Sequence, residues 1–270
     1  MSATQQPSGT LPRELAPGLW WLGVCQHYPF DYHGSSLHAY NSVYLLSGQD
    51  ASVVVEGGFP SDVQIIERQI EQVLERGAPP LRYLFTTHTE TPHCASFGRL
   101  LQQYPDAVIC GDVSDLHLVF PALTDRLLPL APGDSLDLGG TELRIVESVI
   151  RDYIYTRWAF DTSRKVLFTG DGVAYSHYHA AGQCGRVAEE VPQLDLADMT
   201  ALFGELAFFW TRFTDLEPYI ERLDRLLFDE LGVEIVAPTH GLPIVNPRAT
   251  MSAVYNGFRR GGVAPAGPRI

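Results

Sequence analysis

The stretch FTTHTETPHCAS, residues 85–96, places His88, Glu90 and His93 within six positions at the end of an apolar run. Two further points follow the same plan. Asp171 in LFTGDG and His240 in APTHG each close a hydrophobic run and precede a glycine. Histidine, glutamate and aspartate are donors for a hard or borderline divalent ion, and none of the three clusters demands a thiolate. Taken singly each is an ordinary loop feature: a polar histidine, a turn at TGDG, a chance HxExxH. Their shared position at the ends of apolar strands changes the reading, because a rigid sheet edge presents polar side chains into a cleft. The pattern predicts a metal site.

The elements that must position these residues follow from hydrophobic period and turn signals. LWWLGVCQH, AYNSVYLLS and ASVVVEGG read as successive strands. PSDVQIIERQIEQVLERG has Val63, Ile66, Ile70, Val73 and Leu74 at helical spacing and ends on Gly77. LRYLFTT is a buried strand that delivers His88, CASFGRLLQQYP a helix, and AVIC another strand. A second β-rich series is expected from about residue 126: RLLPL, TELRIVES, YIYTRWAF and KVLFTGDG. Helices are expected within DLADMTALFGELAFFWTRF and LEPYIERLDRLLFDEL, then a short strand VEIVAP and a last helix in PRATMSAVYNGFRR. Strands then helices, twice over and with no dividing linker, predict an α/β fold: one four-layer αββα sandwich. The expected organisation is a flexible arm over 1–17, a single domain over 18–260 and a flexible tail over 261–270.

Composition limits the partners. With a net charge of −13, the chain lacks the basic surface that nucleic acid or an anionic membrane requires. No apolar run approaches the roughly 20 residues of a membrane span, and the N-terminus lacks the basic and apolar regions of an export signal. Cys25, Cys94, Cys110 and Cys184 are scattered without a CxxC pair, which suits reduced thiols in a cytoplasmic protein. Cys94 is expected to be a buried packing thiol.

The three clusters in this order resemble those of the metallo-β-lactamase superfamily, whose fold is the αββα sandwich. The first motif there is normally HxHxDH, followed by a histidine, a bridging aspartate after a strand and a last histidine. Here Glu90 stands in place of the second histidine, as in the HxExDH of the flavodiiron branch and of oxygen-binding di-iron proteins without a flavodoxin domain. NSVYLL is similar to that branch's early YN-x-YL segment. KVLFTGDGVAYSH is similar to its LFSNDAFGQH, including a histidine six residues after the aspartate, here His177. APTHGLPI is similar to its terminal PSHG. The resemblance covers roughly 18–260 and implies one metal held by His88, Glu90 and Asp171 and a second by His93, Asp171 and His240, with Asp171 bridging.

Two departures bear on the chemistry. The aspartate of HxExDH is Pro92, and the middle histidine, nineteen residues before the bridging aspartate, falls on Asp152. Asp152 is therefore expected to complete the first site, leaving it with one histidine and three carboxylates. Loss of the water-positioning aspartate at Pro92 argues against a conventional hydrolase. The resemblance marks Glu90 and His177 as the expected catalytic side chains, His177 lining the pocket behind the metals. His27, His33 and His38 lie in the segment where this fold usually has an active-site loop. Phe208, Phe209, Trp210 and Phe213 are expected on one helix, walling the pocket from water.

The leading functional expectation is a non-haem di-metal protein, holding two iron ions with manganese or zinc as alternatives, that binds or activates O₂ as oxidoreductase, oxygenase or carrier. Its ligand would be O₂ or a small-molecule substrate. No Gly-rich loop for flavin or nicotinamide is visible, so a separate electron-donor protein is expected for a reductase, and relatives suggest a homodimer. The alternatives are a metal-dependent hydrolase of lactones, thioesters or related esters, and a non-catalytic ligand-binding member.

Overall fold

The computed structural model describes residues 11–32, 35–178 and 184–262. The first sheet has seven strands in sequence order: β1 (Arg13–Ala16), β2 (Leu19–Tyr32), β3 (Ser35–Ser47), β4 (Ser52–Val55), β5 (Leu81–Thr86), β6 (Val108–Gly111) and β7 (Leu127–Pro129). Strands β1 to β4 pair antiparallel, and β4 to β7 parallel. Each parallel step needs a crossover. That from β4 to β5 is α1 (Val63–Glu75), and that from β5 to β6 contains α2 (Thr91–Cys94) and α3 (Phe97–Gln103). The β6–β7 crossover contains α4 (Leu116–Val119).

The second sheet is built from β8 (Ser135–Asp137), β9 (Glu142–Val146), β10 (Trp158–Asp161), β11 (Val166–Gly170) and β12 (Ile235–Pro238), in the order β12-β11-β10-β9-β8. Helices α5 (Leu196–Ala207), α6 (Glu217–Arg225) and α7 (Pro247–Gly261) cover its outer face.

The period-2 pattern of the strands sorts side chains into two cores. Trp21, Tyr44, Val53, Val55 and Phe85 point between the sheets, where they meet Ile145, Trp158 and Phe168. Their neighbours Leu22, Leu45, Val54 and Leu84 point outward onto Ile66 and Ile70 of α1 and Phe97 and Leu100 of α3. Each fully buried isoleucine on α1 contributes about 1.5–3 kcal/mol. Asp62, at the start of α1, does not cap it, because its carboxylate accepts two hydrogen bonds from Gln26 Nε2, at 2.7 and 2.8 Å. The result is the αββα sandwich expected from the alternating series.

Three expectations are corrected. The arm over 1–17 does not run that far, since Arg13–Ala16 pairs with β2 as β1, held by a paired Arg13–Glu190 contact. YIYTRWAF is a strand only from Trp158; residues 152–157 form a loop that hydrogen-bonds, through Arg157 N–H at 2.7 Å, to the carbonyl of Thr87. ELAFFWTRF is not one helix: α5 stops at Ala207 and a 3₁₀ turn over Phe209–Phe213 follows. Residues 263–270, most of the expected tail, lie outside the described residues, as does His33. No helix among the described residues is long and apolar enough to cross a membrane.

Candidate metal centre

All three clusters converge at the C-terminal ends of β5, β11 and β12. His88 lies two residues past the end of β5; its ring is fixed by a 3.1 Å contact between Nδ1 and Thr87 Oγ1, and its backbone by the Thr86 hydroxyl, which donates to the His88 carbonyl at 2.6 Å. Pro92 then lies in the first turn of the short helix α2, where proline is favoured, and that turn carries His93, whose ring is buried. Gly170 has φ +53°, and a Cβ there would lie 2.6 Å from Thr87 Oγ1. Glycine thus lets the β11 loop approach the β5 loop closely enough for Asp171 to face His93.

The distances define two groups around Asp171. Asp171 Oδ1 lies 3.5 Å from His93 Nε2 and 3.6 Å from His240 Nε2. His88 Nε2 lies 3.5 Å from Glu90 Oε2 and 3.3 Å from Asp152 Oδ2. The His88 and His93 rings are 3.8 Å apart between centroids. Donor atoms of His88, Glu90, His93 and Asp171 all fall within 4.8 Å of one another. His88 Nε2, His93 Nε2 and Asp171 Oδ1 are buried without a hydrogen-bond partner, although buried polar atoms are normally paired. Three orphaned atoms aimed at one point, two of them imidazole nitrogens and one a carboxylate oxygen, fit a metal ion.

The electrostatics of the two buried rings differ. Burial, with the nearby His88, lowers the pKa of His93 well below its ordinary value, so its ring is neutral and keeps a lone pair for a ligand. For His88, burial opposes the charge, but Glu90 Oε2, 3.5 Å from its Nε2, and the carboxylates of Asp171, Asp152 and Glu56 outweigh it and push the pKa up to about 9, so these carboxylates draw positive charge to the point where a metal ion would sit. The hydrogen bond to His88 holds Glu90 below the usual carboxylate range. Glu90 is the open side of the group, with 44% of its side chain exposed.

Glu56 is the residue that sequence reasoning missed. It directly follows β4, is 1% exposed, and its Oε2 lies 3.0 Å from His93 Nδ1. A carboxylate behind a ligating histidine fixes the ring and raises its basicity. Glu56 also has φ +68°, a left-handed conformation rare for a non-glycine residue. The available signal was an acidic residue directly after three valines and before two glycines, where a β-strand should have ended on something apolar. On the other metal-facing histidine the same task falls to the backbone, since His240 Nδ1 is 2.8 Å from the Tyr40 carbonyl.

No family model matches the chain. The coenzyme F420H₂ oxidase of Methanothermobacter marburgensis is 25% identical over 265 residues, which cover 93% of this chain and 62% of that protein. Among solved structures, the rubredoxin oxygen:oxidoreductase of Desulfovibrio gigas superposes with a TM-score of 0.74 at 16% identity, over 92% of this chain and 60% of the other. The flavodiiron protein of Giardia intestinalis gives 0.71 at 14% identity, over 92% and 59%. The chain is thus similar in sequence to an F420H₂ oxidase and in fold to flavodiiron proteins. Its fold is that of the metallo-β-lactamases, and it spans about six tenths of the length of the curated relative.

Against that flavodiiron background, the positions of the expected residues are clear. His88, Glu90, His93 and Asp171 are brought together, with Asp152 against His88 and His240 against Asp171. Asp152 Oδ1 also accepts from the Thr156 hydroxyl at 3.1 Å. His177 is fully buried but stands outside this group, stacked on Tyr40 at 5.2 Å and 10°. His27 is exposed and lies 5.3 Å from the His38 ring. Cys94 is buried, and its thiol donates to the Glu90 carbonyl at 3.3 Å. The expected aromatic wall is not formed by its four members: Phe208 is buried, but Phe209 and Phe213 are 70% and 81% exposed. Instead Phe203 lies 5.7 Å from the His240 ring, and Tyr153 stacks 5.3 Å from His88 at the mouth. Beside the mouth a cleft of about 490 Å³ is lined by Asp152, Tyr153, Trp210, Tyr219 and Arg222.

Proposed function

We propose that this chain is a non-haem di-iron oxidoreductase that binds and reduces dioxygen or a similar small oxidant, with electrons from a separate donor. The observation that supports it best is the donor set: three histidines and three carboxylates on one cleft, with three of their atoms buried and orphaned. Such a carboxylate-rich set with imidazoles suits iron or manganese better than zinc. The oxidases and oxidoreductases among its relatives favour the same class. His88, Glu90 and Asp152 would hold one metal, His93 and His240 the other, and Asp171 would bridge. When bound, the metal pair supplies electrons to the oxidant.

The chain's own residues supply orientation and access. Thr87, Glu56 and the Tyr40 carbonyl each fix one ligand ring through its second nitrogen. Phe203 and Tyr153 cover His240 and His88 and keep bulk water from them. Glu90, half exposed beside His88, stands where a proton must enter as oxygen is reduced. The aromatic-walled cleft beside Asp152 offers a place for the reduced donor or an organic substrate.

Elemental analysis of protein purified without oxygen, followed by its visible spectrum on admitting air, tests this reading. The expected result is about two irons per chain and a new absorption band. Zinc with no spectral change would overturn it in favour of ester hydrolysis.

A further inference from the structure

A second cluster of reactive side chains lies across Tyr40 from the metal donors. Cys25 sits within β2, and its Sγ is 3.5 Å from His38 Nδ1 on β3 and 3.6 Å from His177 Nε2. The same thiol hydrogen-bonds with Cys184 and with the Tyr40 hydroxyl. Cys184 and His177 are buried, at 6% and 0% exposure, and Cys25 is partly buried. The backbone locks the partners in place: His38 and His177 exchange two N–H to carbonyl hydrogen bonds, at 2.7 and 3.0 Å. Tyr40 joins the two clusters. Its ring stacks on His177, its hydroxyl accepts from the Gly185 N–H, and its carbonyl faces His240 Nδ1.

Packing thiols do not account for this arrangement. A buried cysteine that only fills space needs no polar partner, and a buried imidazole must find hydrogen bonds. Here two imidazoles converge on one sulfur that already contacts a second sulfur. The hydrogen bond to Cys184, and then burial, raise the Cys25 thiol far above its ordinary pKa. A raised pKa by itself makes a thiol less reactive, so the two imidazole nitrogens at 3.5 and 3.6 Å from Sγ are what would take its proton.

We propose that Cys25 and Cys184 are a reversible two-electron dithiol/disulfide couple, served by His38 and His177, that reduces peroxide or dioxygen beside the metal centre. In the oxidising step the two S–H bonds break and one S–S bond forms. The two protons leave through the imidazoles, and the two electrons cleave the O–O bond, so that one dithiol and one hydrogen peroxide give one disulfide and two waters. Dioxygen consumes two such turns. An external dithiol restores the pair by exchange. The choice of oxidant rests on the proposed di-iron reading; the couple itself does not.

Each cysteine falls in its own tryptic peptide, 14–68, 83–99, 100–126 and 166–186, so the pairing can be read directly. The full chain is reduced, freed of reductant, treated with a stoichiometric amount of hydrogen peroxide, alkylated and digested without reductant. The expected product is 14–68 linked to 166–186, lighter by two hydrogens and reversed by dithiothreitol. It forms equally in Cys110→Ala and about a hundredfold more slowly in His177→Gln. Alkylation of Cys25 and Cys184 as separate thiols, linkage between different chains, or protection of both thiols by a metal ion would each overturn the proposal. Peroxide-driven linkage in a chain that carries only zinc would support the couple while the di-iron reading fails, so the two failures are distinguishable.

Discussion

The two polar clusters on either side of Tyr40 use the same imidazole group for different ends. In the metal cluster three histidines face carboxylates, and a second partner (Thr87, Glu56 or a backbone carbonyl) fixes the far nitrogen of each ring. In the thiol cluster two histidines face one sulfur, and their backbones are tied to each other. The first arrangement gathers imidazole nitrogens and a carboxylate oxygen that have no hydrogen-bond partner, which suits a cation. The second places a base against a protonated thiol, which is what proton removal requires. Position differs as well. The metal donors stand on loops and one short helix just beyond strand ends, whereas Cys25 and His38 lie within paired strands. What a histidine does here is set by its partners more than by its own type.

That contrast can be broken most directly at Asp171. Asp171→Ala removes the carboxylate shared by His93 and His240, and metal affinity is expected to fall by about a hundredfold or more, measured by elemental analysis after dialysis. Retention of both metals would show that Asp171 is not central to the site. Glu56→Gln keeps the shape but removes the charge behind His93. Metal affinity should drop about 10–100-fold with the fold intact, as a chelator competition would read, while Cys25–Cys184 cross-linking proceeds as in wild type. Equal loss in both assays would mean that the clusters are one site.

Gly170→Ala probes the loop approach that only the metal cluster needs. Its Cβ would meet Thr87 at 2.6 Å with φ at +53°, so thermal unfolding should show a loss of about 1–3 kcal/mol. An unchanged melting temperature would mean that the two loops move apart freely. The smallest effect is expected on the thiol side. Arg13 pairs with Glu190 and also donates to the Gly185 carbonyl at 2.8 Å, beside Cys184. The Arg13 hydrogen bond lowers the Glu190 pKa in the folded chain. Its stabilisation is therefore present above the unfolded carboxylate value and is lost as pH falls through the folded one. Glu190→Gln should lower the melting temperature slightly at neutral pH, with the gap closing in acid. A gap that persists in acid would assign the effect to packing instead.

Much of the first cluster was legible because strand-end motifs are local. His88, Glu90 and His93 fall within six consecutive positions, and Asp171 and His240 each follow an apolar run and precede a glycine. Asp152 was reached only by spacing within a resemblance, and the loop that carries it had been read as a strand because YIYTRWAF has strong β-formers. The anchoring of that loop to Thr87, through Arg157, is a tertiary contact that overrides the propensity. The aromatic run failed for the opposite reason: helical spacing suggested one face, but the helix ended at Ala207 and turned Phe209 and Phe213 to solvent.

By itself the chain's sequence determined the layer order, the α1 and β5 elements and the identity of the local metal donors, since hydrophobic period and strand-end position are written in consecutive residues. Only the tertiary structure decided that Glu56 stands behind His93 and that Cys25 meets Cys184 across 159 positions of chain. Both contacts join residues from different elements, the end of β4 with the short helix α2 in one case and β2 with a loop in the other. Their approach depends on how the layers pack, which no short window of sequence encodes.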